Sequence, residues 1–100
     1  MIKIWIDDMR TPPSNEWIWI KTVNAAKQLI SQLSMYEQNI ELSVDHDAGD
    51  YAKDGGDYIK FLDWLEETNH NFPIHIHSMN PVGVENMRRI IQKNGWREIR

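Results

Sequence analysis

Three apolar runs in this sequence end in residues that can do chemistry. Ile2–Ile6 runs into Asp7-Asp8, residues 40–44 run into Asp45-His46-Asp47, and residues 74–76 run into His77-Ser78. Asp7, Asp8 and Asp45 would repel one another in a shared pocket unless a cation is present. All-oxygen ligation suits Mg²⁺ or Mn²⁺; the alternative is a set of acids capping strand ends. His75 and His77 alternate on one run and therefore point the same way, about 6.6–7 Å apart. With His46 they are candidates for general acid and base near neutral pH, or for metal ligation. The competing reading is a structural histidine stacked on a tryptophan and bonded to a carboxylate. Ser78 and Asn80 lie at the start of a helix, where free N–H groups suit a phosphate. An Asn cap followed by Pro81 would explain the same residues without any ligand. Arg10 is a bidentate phosphate clamp or a solvated loop charge. Trp5, Trp17 and Trp19 share a parity that fits either stacking of a nucleobase or an interface between subunits.

Positioning these groups requires strands. Residues 2–6 alternate strictly, and residues 16–21, 40–45 and 74–78 alternate aliphatic side chains with polar or aromatic ones. Between the first two, residues 9–15 hold two prolines and short polar residues and read as a loop. Thr22 caps a helix over residues 23–34. Residues 35–39 connect it to the third strand. After a glycine-rich loop at 46–56, Asp57 reads as the cap of a helix reaching residue 68. Asn80 and Pro81 open a third helix that Asn94-Gly95 closes. Residues 96–99 read as a short edge strand.

Every aliphatic strand residue falls on one parity, including Ile18 and Ile20. The other parity holds Lys3, Trp5, Asp7, Trp17, Trp19, Glu41, Ser43, Asp45, His75 and His77. Strands alternating with helices imply a mostly parallel sheet. The first connection is too short for a covering helix. The expectation is a two-layer α/β fold of four or five strands, with three helices on the aliphatic face and the polar-aromatic face open. The direction of strand 16–21 is left open by the pattern.

The chain has 100 residues and a formal net charge of −4, and these bound the function. One domain over residues 1–100 is expected. The negative charge argues against an extended nucleic-acid surface. The absence of cysteine excludes disulfides and thiolate metal sites. With no apolar span or leader-like stretch, no membrane partner and a cytoplasmic location are expected.

The segments Ile6-Asp7-Asp8-Met9-Arg10-Thr11-Pro12, Ser43-Val44-Asp45-His46-Asp47-Ala48-Gly49, Gly56-Asp57-Tyr58 and His77-Ser78-Met79-Asn80-Pro81-Val82-Gly83 together resemble the cyclic-phosphate-processing receiver domain family. The resemblance runs in family order over nearly the whole chain. It implies a receiver-like (flavodoxin-like) fold, with Asp7, Asp8 and Asp45 around Mg²⁺ and Ser78 after the fourth strand. No lysine follows the fifth strand as it does in receivers, and His46 and His77 are not receiver residues. The expected function is a metal-assisted phosphoesterase acting on a cyclic nucleotide or an RNA 2′,3′-cyclic phosphate end. In that reading His77, His46, Asp45 and His75 are catalytic, and Arg10, Ser78 and Asn80 hold phosphate. The alternatives are a module that binds such a ligand uncleaved, and a receiver-like module that dimerises or docks a partner through its tryptophan face.

Overall fold

The structure, a computed structural model, describes residues 1–36 and 39–100. The connector expected at residues 35–39 therefore lies partly outside the described residues. Five strands form one sheet in the order β2-β1-β3-β4-β5, all neighbours parallel. They are β1 (Ile2–Ile6), β2 (Trp17–Ile20), β3 (Ile40–Val44), β4 (Ile74–Ile76) and β5 (Glu98–Ile99). The helices are α1 (Val23–Leu33), α2 (Ile59–Glu67) and α3 (Pro81–Asn94), with a 3₁₀ turn at Gly49–Lys53. This is the receiver-like, flavodoxin-like α/β arrangement. Among the described residues no helix is long and apolar enough to cross a membrane.

One core joins the aliphatic strand face to the three helices. Ile4, Ile6, Leu42, Val44 and Ile74 pack with Val23, Ala26 and Ile30 of α1, Phe61, Leu62 and Leu65 of α2, and Met87 and Ile91 of α3. Handedness explains why the helices share a face. From β2 to β3, β3 to β4 and β4 to β5 the chain always steps the same way across the sheet, so right-handed crossovers stay on one side. The step from β1 to β2 goes the other way, and its connection must cross the opposite face. Residues 7–16 do so without a helix, and β2 is parallel to β1.

That connection changes what open means for the polar face. Trp5 is buried, and its indole Nε1–H donates to the Arg10 carbonyl at 2.8 Å. Trp17 and Trp19 are half-buried. On the helix side the expectation that Ile18 joins the core fails: it is 40% exposed on the edge strand β2, while Ile20 of the same strand packs against the core.

Helix ends mostly follow the sequence. Thr22 Oγ1 accepts from the Ala25 N–H, Asn80 Oδ1 accepts from Gly83, and Gly95 closes α3 in the left-handed region. Asp57 is the exception. The residue flanking α2 is Tyr58, which makes no side-chain cap, and the Asp57 carboxylate instead accepts from the Ala48 N–H at 2.9 Å. It closes the loop that follows Asp45.

Candidate active site

Strands β1 and β3 are neighbours in register, Ile6 opposite Val44, so the residues that follow them meet at the carboxyl ends of the strands. Asp7, Asp8 and Asp45 each offer an oxygen there, all within 4.8 Å of one another. Asp7 is buried; Asp8 and Asp45 are half-buried. Burial works against ionisation of Asp7. The N–H groups of Arg10 and Met9, both 2.9 Å from Oδ1, together with His77, outweigh burial and hold its pKa below the usual carboxylate range. Asp8 is pushed up, first by burial and then by the charges of Asp7 and Asp45. Asp45 Oδ1 accepts from the His46 N–H at 2.8 Å.

A buried chain of hydrogen bonds leads away from the cluster. His77 Nε2 lies 2.8 Å from Asp7 Oδ2, and His77 Nδ1 lies 2.8 Å from Ser43 Oγ. Asp7 can only accept, so Nε2 carries the proton. In the neutral ring Nδ1 then accepts from the Ser43 hydroxyl. Burial pushes the His77 pKa down, outweighing the pull of Asp7, and keeps the ring in that neutral form. Trp5 stacks on the ring at 3.8 Å between centroids and 6° between planes. The Arg10 guanidinium donates to the His77 carbonyl at 2.9 Å. Ser43, itself buried, is the participant the sequence reading missed. Its parity placed it on this face, but only the strand register sets it beside His75 and within reach of His77.

A second chain runs to α3. His46 Nδ1 lies 2.9 Å from Asp47 Oδ1, and Asp47 Oδ2 accepts from the Asn80 amide at 3.3 Å. The hydrogen bond from His46, against a smaller opposing effect of burial, holds the Asp47 pKa below its usual value. The His46 ring lies against Gly83, where any Cβ would run into it. Its Nε2 has no hydrogen-bond partner among the described residues. Ser78 Oγ accepts from the Asn80 N–H at 3.1 Å, so the serine and the cap form one turn.

The remaining sequence candidates part company with the cluster. His75 Nδ1 donates to the Ile99 carbonyl at 2.8 Å, and its ring lies 6.4 Å from that of His77. It faces a cleft of about 350 Å³ on the polar side of the sheet, lined by Trp5, Trp17 and Pro13 among others. None of the three aspartates lines that cleft. The three tryptophans also separate. Trp5 and Trp17 meet edge-to-face at 5.7 Å at the cleft. Trp19 donates instead to the Asp7 carbonyl at 2.8 Å, with Lys21 4.6 Å from its ring centroid.

The sequence model of one family, the cyclic-phosphate processing receiver domain, matches residues 2–93, which takes in the cluster and both hydrogen-bonded chains. Neither a curated protein nor a solved structure gives a significant match.

Proposed function

Because this chain belongs to the cyclic-phosphate processing receiver domain family, we propose that its strand-end cluster is the centre of a metal-assisted phosphoesterase. The substrate class is a cyclic phosphate, on a nucleotide or at an RNA 2′,3′-cyclic end. The observation that carries the reading is the convergence of Asp7, Asp8 and Asp45 within 4.8 Å, directly followed in the chain by the His46–Asp47 pair.

The donor set fits a hard divalent cation, Mg²⁺ or Mn²⁺. All three donors are carboxylate oxygens within 4.8 Å of one another, and the charges of Asp7 and Asp45 add to the effect of burial in raising the Asp8 pKa, a repulsion that a cation would relieve. When bound, such an ion polarises a phosphoryl oxygen and lowers the pKa of a coordinated water. Asp7, fixed by two backbone N–H groups and His77, gives the site a rigid wall. His46, with Nδ1 tied to Asp47, offers Nε2 as the base that takes a proton from the attacking water as one ring P–O bond of the cyclic phosphate breaks; the imidazolium, stabilised by Asp47, returns that proton to the leaving ester oxygen. Ser78, Asn80 and the first turn of α3 hold the phosphate, with Arg10 at the side. His77 acts through Asp7 as a positioning residue. His75 takes no part in this centre.

One observation favours a second reading, capture without cleavage. Both ring nitrogens of His77 are bonded within the protein, which leaves His46, among the described residues, as the imidazole at this centre with a ring nitrogen available for proton transfer. Incubation with 2′,3′- and 3′,5′-cyclic nucleotides, with and without Mg²⁺ or Mn²⁺, separates the readings. Turnover that falls on the order of 10²-fold or more in His46→Ala and in Asp45→Asn supports the enzyme. A raised melting temperature with the nucleotide recovered intact supports capture. Neither turnover nor stabilisation by any cyclic phosphate overturns both.

A further inference from the structure

The cleft on the polar face is chemically unlike the strand-end cluster. At about 350 Å³ it is near the small end of the range for small-molecule sites, roughly 300–1,000 Å³. Its walls are flat and aromatic. Trp17 stands at 73° to Trp5, and Pro13 from the β1–β2 connection closes one side. A planar ring is the shape such walls accept.

Its polar groups are selective. The Ser43 hydroxyl is already spent on His77. His75 donates its Nδ1 proton to the Ile99 carbonyl, so Nε2 is the ring nitrogen that can accept. The Glu41 carboxylate is half-buried and has no hydrogen-bond or ion-pair partner among the described residues. Two acceptors line an aromatic cleft; Arg100, which also lines it, is paired loosely with Glu98 at 3.6 Å, and the Lys3 ammonium lies 5.4 Å from the Trp17 ring centroid. The missing complement is a flat ring with adjacent N–H donors.

We propose that this cleft is a second ligand site, for a guanine base whose N1–H and N2–H₂ edge meets the Glu41 carboxylate. Two parallel N–H···O bonds to one carboxylate are the strong, geometrically selective kind. Adenine and cytosine each pair an amino donor with a ring acceptor, and uracil flanks its N–H with carbonyls. Each would set a lone pair against Glu41, a repulsive element that discriminates. The base stacks against the Trp17 wall, and Arg100 meets a phosphate if the base carries one. The site is independent of whether the strand-end cluster hydrolyses anything.

The test titrates the full chain with guanosine, inosine, adenosine and uridine, following tryptophan fluorescence and the indole N–H resonances of Trp5 and Trp17. Guanosine should bind at least tenfold tighter than adenosine or uridine, with inosine, which lacks the amino group, in between. Trp17→Ala should weaken binding at least tenfold. Glu41→Gln should abolish the preference for guanosine with the fold unchanged by circular dichroism. Asp45→Asn should leave binding untouched, which separates this site from the cluster. Tighter binding of 5′-GMP assigns a free nucleotide as the source, and tighter binding of a guanine-containing trinucleotide assigns an RNA end. No saturable response to guanosine or GMP overturns the proposal. So does a response that survives both Trp17→Ala and Glu41→Gln, or a stable dimer that shields Trp17.

Discussion

Gly83 illustrates how a single missing side chain shapes the centre. Within a helix, alanine is ordinarily more stable than glycine by roughly 0.5–1 kcal/mol. Here a Cβ would collide with the His46 ring. Gly83→Ala should therefore lower stability in urea unfolding rather than raise it. In a His46→Ala background the same substitution should regain the ordinary helical gain. A stabilising Gly83→Ala in the native background would show that His46 does not rest there. The glycine was visible in the sequence as part of the His77–Gly83 segment, but its purpose was not. Parity and motif place a residue on a face or at a strand end; they do not state which side chain it touches. That is why Ser43 escaped the sequence reading, and why the histidine stacked on a tryptophan and bonded to a carboxylate was anticipated without Asp7 being named as its partner, while Asp7, Asp8 and Asp45 were found together.

Elements were more legible than contacts. The alternation of apolar residues gave the strands and their inward face, and Thr22, Asn80 and Gly95 gave helix ends, because each of these is decided within a few residues. Gly95 provides a clean check. It sits at φ 66° with nothing within 4 Å of a would-be Cβ, so backbone strain alone opposes a side chain. Gly95→Ala should cost about 1 kcal/mol in chemical denaturation, and Gly95→Asn less. Asp57 and the β1–β2 connection were misread or left open for the opposite reason. The Asp57 carboxylate is taken by Ala48, nine residues back in the chain. The path of residues 7–16 follows from crossover handedness across the finished sheet, which no local window contains.

For the molecule as a whole, buried imidazoles set the response to acid. Burial lowers the pKa of His70, which stacks between Trp64 and Phe72, and likewise that of His77. Unfolded histidine titrates near 6.5, so below that pH the unfolded chain binds more protons than the folded one. The stability these rings contribute is complete above about pH 6.5 and declines as the pH falls toward their folded values. Asp7, with its pKa held low, contributes above about pH 4 and loses that contribution below it. Asp8, pushed up, works in the opposite sense as it protonates. Denaturation midpoints measured without divalent ions should fall between pH 7 and 5. His70→Asn should flatten that fall without removing it, since His77 remains. A midpoint that is flat or rising over this interval would contradict the burial of both rings.

The edge position of β2 has a cost in colloidal behaviour. Strand β2, Trp-Ile-Trp-Ile, is an outer strand whose far backbone edge meets no neighbour in the sheet among the described residues, and Ile18 leaves its helix-side face apolar and wet. Short, β-prone, uncharged segments of this kind recruit further strands from other molecules. Pro12 and Pro13 before it and Lys21 after it limit how far such a pairing can extend. The outer edge of β2, with Ile18 beside it, is thus the place where crowded copies of this chain would begin to aggregate.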